Sequence, residues 1–501
     1  MKQKHVLGTM KLCLLAMASS ALLFTSCAQD GFDEETFETL VRNTKVETPS
    51  ADKISIRQNS SGTEQIVSWS VVPGAGGFEC RVIDESDAAN PEVIFDRVVD
   101  GCSFSAPREE DAKYRIFIHA LGNKKYGNID ADNTTEIEYT TIVEAYKSIP
   151  SGTDLAAFFK NEVIPENEID ETTKQKIAIA YDLEGGGEYT MSDTVFLGTS
   201  KVLLRSSKVG ADIKMTGEHA LFLIQNGLTL RNLRIDCGES TETGLIVCSN
   251  NPAENIPLNE SKYSSATTKG SYLIEEPVEV RNCMIKDMKK ALIHTGQDKG
   301  WVIESLNIIN NIIQMDNEKD YFLNFYGGSE FRNSAFKEML MKNNTIYNLK
   351  ENSSQFVIRF GNASNAVKLF GTNSNPEVGR FKWQIQNNTM VGVFAKKDFG
   401  NNIPNNVCVI NIITDNIFYN TYRLQKFIQG NQTRTYYNNY IWSDGTTVID
   451  TTDKETYCTE ADPGFVAPTT SLDLTQKNGG IDLAPTGIVL TSGSGDPRWL
   501  K

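Results

Sequence analysis

A short phrase built on asparagine returns through the second half of the chain and constrains its fold more than any other feature. It reads Arg281-Asn282-Cys283-Met284-Ile285, Asn310-Asn311-Ile312-Ile313, Asn343-Asn344-Thr345-Ile346-Tyr347 and Asn387-Asn388-Thr389-Met390-Val391. It continues as Asp415-Asn416-Ile417-Phe418-Tyr419 and Asn438-Asn439-Tyr440-Ile441-Trp442, with an earlier relative at Arg231-Asn232-Leu233-Arg234-Ile235. Counted from Asn282 and then along the second Asn of each later phrase, the gaps are 29, 33, 44, 28 and 23 residues. Repetition on this scale marks a solenoid, and the β-formers after each Asn make its unit a coil of a right-handed, single-stranded parallel β-helix. A corner between two strands often needs a left-handed residue, which Asn tolerates better than other non-glycine residues. Stacked coils would also set these amides over one another as a hydrogen-bonded ladder. The Asn residues are therefore expected to build the fold rather than to bind a ligand.

Ahead of the repeats, residues 46–140 alternate apolar and polar positions between Gly, Pro and Asn turns. Val67, Trp69 and Val71 share one parity; Phe78, Cys80 and Val82 share the next; Tyr114, Ile116, Ile118 and Ala120 share a third. That pattern predicts a small β-sandwich, in which Cys80 and Cys102 could pair. Residues 141–175 read as a linker with a capping helix near 154–161, and residues 176–460 as the β-helix. Residues 461–501 lack the strand rhythm and are expected to lie along the solenoid and close its far end. The chain is thus expected to be all-β, a sandwich followed by a parallel β-helix; Trp69 on an early strand and Tyr114 opening a late one make the sandwich resemble an immunoglobulin- or fibronectin III-like module.

The N-terminus carries Lys2, Lys4 and Lys11 before an apolar run from Leu12 to Phe24, the pattern of a signal peptide over residues 1–26. Phe24-Thr25-Ser26-Cys27 resembles a bacterial lipobox, which implies lipidation of Cys27. The acidic residues Asp30, Asp33, Glu34, Glu35 and Glu38 resemble the surface-export signal of Bacteroidetes-type lipoproteins, and residues 27–45 would be a tether. Together with the sandwich, the Asn phrases and the closing Gly495-Asp496-Pro497-Arg498-Trp499, these features resemble a group of Bacteroidetes surface lipoproteins. Their pectate-lyase-like β-helix is classed as a domain of unknown function. The resemblance implies an outer-membrane, lipid-anchored, surface-exposed protein, working beside outer-membrane glycan-uptake proteins on a polysaccharide. The membrane would be met only through the lipid.

A net charge of −15 gives no footprint for nucleic acid. The nine cysteines form no CxxC pair, the four histidines form no HExxH, and no metal framework is expected. A β-helix hydrolase would need clustered carboxylates, whereas Asp287, Asp316, Asp398 and Asp415 stand singly. Charge is nonetheless segregated. Between Phe331 and Trp442 thirteen Lys and Arg face five Asp and Glu, 13 − 5 = +8. That excess, interleaved with aromatics, suits an acidic, uronate-rich polysaccharide. Arg359 is the sharpest candidate, because alternation in Phe356-Val357-Ile358-Arg359-Phe360 fixes it on a strand. Arg332, Arg380, Lys382, Trp383 and Arg423 are further ligand-binding candidates. For a polysaccharide lyase, the alternative reading, Lys290, His294 and Arg359 are the catalytic candidates, with Asp287 beside the first two and Ca²⁺ as a possible aid. A third reading is a structural or adhesive surface protein indifferent to glycans.

Overall fold

In the computed structural model of the protein, the described residues are 41–500 apart from 60–63, 87–89, 110–111, 171–174, 260–270, 297, 327–333 and 370–377. The signal peptide, Cys27 and Arg332 lie outside them. The chain divides into two compact units, with the main break at Thr140/Thr141.

The larger sheet of the N-terminal unit is antiparallel. Strands Glu92–Val99, Ala75–Asp84, Lys113–Gly122 and Thr135–Thr140 form a four-stranded sheet in that order, and Ser55–Gln58, Glu64–Ser68 and Ser103–Pro107 form a three-stranded one. Strict alternation in Lys113–Gly122 sends Tyr114, Ile116, Ile118 and Ala120 into the core. Trp69 packs edge-on against Phe78 at 4.9 Å. Val71 departs from the expected parity: the strand ends at Ser68, and Val71 is exposed in the turn. Cys80 and Cys102 are free thiols rather than a disulfide.

The second unit is a parallel β-helix of three sheets. A coil runs Val202–Ser206 in the first sheet, Ala211–Met215 in the second and Phe222–Ile224 in the third, before Leu228 stacks on Val202. The first sheet has ten strands on its main path and an eleventh, Tyr272–Ile274, paired beside it; the second has ten and the third seven, all parallel. Parallel sheets wound this way bury one face of all three around a common core. Here that core includes a column of rings, Phe360 on Trp383 at 5.6 Å and Trp383 on Phe427 at 5.5 Å.

The corner between first and second sheets divides its two demands between adjacent residues. Asn232, Asn282, Asn310, Asn343, Asn387, Asp415 and Asn438 take the left-handed conformation, φ between 54° and 60°. The next residue points inward and builds the ladder. Asn311 donates to Asn344 (3.0 Å), Asn344 to Asn388 (2.9 Å), Asn388 to Asn416 (3.0 Å) and Asn416 to Asn439 (2.9 Å). Each Nδ2 also donates to a main-chain carbonyl, as Asn344 does to Ile308 at 2.7 Å. Asn282 is thus a corner residue, and the position aligned with Asn311 is Cys283, whose amide donates to Asn311 Oδ1 at 2.9 Å across 28 residues, not 29.

At the N-terminal end, helix Leu155–Asn161 buries Leu155, Ala156 and Phe159 against the first coils. Its N-cap is Asp154, which accepts from Ala157 N at 2.8 Å. The C-terminal segment runs along the side of the solenoid, over the second sheet, instead of across the end. Leu472, Ile481, Leu483 and Trp499 pack on Ile312, Tyr347, Val391 and Tyr419. Trp499 Nε1 donates to Thr345 Oγ1 (2.7 Å), and Thr345 donates in turn to Asp496 (2.8 Å). Beyond the last coils the single-turn π-helix Asp453–Tyr457 sets Tyr457 edge-on to Tyr436 at 5.0 Å.

Candidate functional site

Of the three outer faces, the second is covered by the C-terminal segment. On the first, cations are matched to acids within the sheet: Arg205 with Asp182 (2.6 Å), Arg281 with Glu279 (2.8 Å) and Lys337 with Glu304 (2.5 Å). The third face differs. Its register stacks one outward position through seven coils: Phe196, Leu223, Val247, His294, Asn324, Arg359 and Asn401. Adjacent strands lie about 4.8 Å apart, so this line extends roughly 29 Å. Long connections leave the C-terminal ends of its strands, from Cys248 to Tyr272, Phe325 to Ala335 and Phe360 to Phe381. Rigid strands flanked by long loops are where binding residues concentrate.

Arg359 occupies the line with its guanidinium 4.5 Å from the ring centroid of Tyr321 and 4.0 Å from that of Tyr326. Its Nε is buried and donates to no described residue. One coil below, Asn324 Oδ1 is also buried and accepts from none. A planar cation held between two rings keeps its edge oriented for a planar carboxylate. Beside it, Tyr321 stacks on Phe356 at 5.8 Å, and Lys397 lies 5.9 Å from the Phe356 ring. Ile358 pairs with Gly400, and Asp398, two residues before Gly400, bridges to Arg423 in the next coil. Arg423 is ion-paired to Asp398 and stacked over Tyr422 at 5.2 Å.

His294 is 5% exposed in the floor of the line. Burial is the main cause that pushes its pKa down to about 4; Arg359 adds to the fall and Asp320 opposes it. Its Nδ1 faces the Gly296 amide at 2.9 Å, so the neutral ring carries its proton on Nε2. A ring in that state offers a ligand a donor and has no lone pair left for a base, so the geometry does not suit His294 to abstract a proton. Lys290 lies in the turn leading to His294 and is ion-paired to Asp320 of the next coil at 3.4 Å. Asp320, not Asp287, is the carboxylate of this group. Asp287 belongs to the second sheet, where Gln314 donates to it. Sequence reading missed Asp320, Asn324 and Asn401, though Lys290 and Asp320 are one coil apart.

The remaining candidates separate. Lys382 lies in the first sheet opposite Glu338, and Arg380 is exposed where the chain enters that same strand. Trp383 is fully buried in the ring column and cannot serve as a sugar platform. Its parity showed this: Phe381, Trp383 and Ile385 point inward while Lys382, Gln384 and Gln386 alternate outward. The positive excess of the 331–442 stretch is therefore spread over two faces.

A calcium site takes six to eight oxygens, usually with several carboxylates. Among the described residues no group of three or more His, Cys, Asp and Glu could hold a metal. At this face the Asp320 carboxylate is already engaged by Lys290. These residues do not fit a calcium cage. Among the described residues no helix is long and apolar enough to cross a membrane.

Among solved structures, pectate lyase PelI from Erwinia chrysanthemi in complex with tetragalacturonic acid is similar over 62% of this chain and 90% of that one, at 11% identity and a TM-score of 0.14. Pectate lyase Pel3 from Pectobacterium carotovorum is similar over 61% and 90%, at 12% identity and a TM-score of 0.14. Likeness of that size does not bear on activity. No curated protein matches the chain. Residues 1–186 match a family described as a domain of unknown function, and residues 187–349 match a second, domain of unknown function (DUF4957).

Proposed function

We propose that the third face binds an acidic, uronate-rich polysaccharide, with Arg359 pairing a sugar carboxylate and the Asn324 amide and His294 Nε2–H lining its approach. The observation that carries this reading is Arg359 itself: a strand-borne guanidinium set between two tyrosine rings, with no hydrogen-bonding partner among the described residues. In this reading the protein is a surface lipoprotein tethered through Cys27, its fibronectin III-like unit is a spacer, and it captures glycan beside outer-membrane uptake proteins. The alternative, β-elimination by a polysaccharide lyase, would also centre on Arg359: Lys290 is ion-paired to Asp320 and His294 Nδ1 accepts from the Gly296 amide, and the Arg359 guanidinium would have to give up a proton before serving as base.

The test titrates protein from residue 28 onward with pectin, alginate and glycosaminoglycan fragments, with and without Ca²⁺, while unsaturated uronate is followed by ultraviolet absorbance. Binding without absorbance, lost in Arg359→Glu, is the expected result. Rising absorbance would make the protein a lyase. No binding, with Arg359→Glu and Arg380→Glu both silent, would leave the structural or adhesive reading.

A further inference from the structure

The line that carries Arg359 ends, five coils earlier, at Phe196, whose ring is 47% exposed. Beside it a cavity of about 780 Å³ opens against the capping helix, with Ala157, Lys160, Ser192, Thr199, Gln225 and Phe196 among its walls. That volume accommodates one or two sugar rings. Of the charges in the lining, Glu162 is already paired with Lys147 at 2.6 Å, which leaves one acid, Asp193, against one base, Lys160. The lining thus combines an exposed aromatic ring, hydroxyls, an amide and short side chains without the uncompensated cation that marks the Arg359 end. A pyranose offers the matching surface, an apolar C–H face ringed by hydroxyls. Between the two ends the floor is closely packed, with Val247 7% and Asn324 6% exposed. Five steps of about 4.8 Å separate Phe196 from Arg359, roughly 24 Å along the direction in which coils stack.

We propose that this cavity is a second subsite, taking an uncharged sugar residue of the same polysaccharide whose carboxylate Arg359 pairs. The ligand is then a heteropolymer mixing uronate with uncharged residues. Two subsites on one chain act through effective concentration, so a fragment too short to span about 24 Å gains nothing from the second. The inference rests on the function proposed above, and its failure is separable from failure of that reading.

The experiment titrates the chain from residue 28 onward, and its Phe196→Ala, Lys160→Ala and Arg359→Ala variants, with fragments of hyaluronan, which alternates uronate with an uncharged amino sugar, and of polygalacturonate, which is charged throughout. Fragments of two and of at least ten residues are compared, with thermal melts confirming folding. Phe196→Ala is expected to weaken long hyaluronan fragments about tenfold and to leave two-residue fragments unchanged; Arg359→Ala weakens both. A Phe196→Trp variant should change fluorescence with long hyaluronan only. An Arg359 effect without a Phe196 effect, or equal Phe196 losses at both lengths or on both polymers, would overturn the second subsite and leave the first. Absence of binding to either polymer would overturn both.

Discussion

At the scale of single residues, Arg359 was legible because alternation across Phe356–Phe360 placed its side chain on one face, away from Ile358 and Phe360. Its tyrosine shelf was not, because Tyr321 arrives from the previous coil and loops of unequal length hide which residues stack. Asp320 was missed for the same reason. Removing the Arg359 guanidinium should weaken an acidic oligosaccharide by tenfold or more, about 1.4 kcal/mol, as read by calorimetric titration. Arg359→Lys should recover less than half of that, because an ammonium has neither the planar edge nor the stacking faces. His294, with its pKa near 4, stays neutral at working pH. Affinity should therefore be flat within twofold between pH 5.5 and 8, and a steep rise starting near pH 6.5 would show the ring charging where burial is argued to forbid it.

At the scale of elements, the repeated asparagines were recognisable from sequence as corner builders, but the division of labour between neighbours needed three dimensions. Asn344 accepts from Asn311 and donates to both Asn388 and the Ile308 carbonyl while fully buried, so Asn344→Ala strands several polar groups. It should cost about 2–4 kcal/mol in a chemical melt, and Asn343→Gly, at the left-handed neighbour, under about 1 kcal/mol. The π-turn carries a different signal. Asp453 is fully buried, accepting from the Leu424 and Gln425 amides, and burial raises its pKa to about 7 against the opposing pull of those two bonds. The folded chain therefore holds a proton that the unfolded chain has released between about pH 4 and 7. Its contribution is complete below pH 4 and is lost as pH rises through 7. Asp453→Asn should remove about 2–4 kcal/mol of pH dependence across that window. Unchanged slopes of stability against pH would refute the assignment.

At the scale of the whole molecule, the order of sandwich and solenoid followed from composition and period, whereas the course of the final segment did not. A stretch without strand rhythm has no periodicity to say which face it seeks, and here that face is apolar: Ile312, Tyr347, Val391 and Tyr419 point outward from the second sheet. Truncation after residue 460 should expose that strip, lower the melting temperature and promote association, seen as growth in hydrodynamic radius with concentration. Trp499→Ala alone should cost about 3 kcal/mol, since the ring and its bond to Thr345 go together.

The hydrogen bond between Thr345 and Asp496 joins positions 151 residues apart, and that separation has a consequence in time. A chain is made at roughly 5–20 residues per second, so the second sheet's outer strip waits about 8–30 s for its cover. During that interval finished coils present an oily ribbon to the cell, and a chaperone that shields it would serve until the tail emerges.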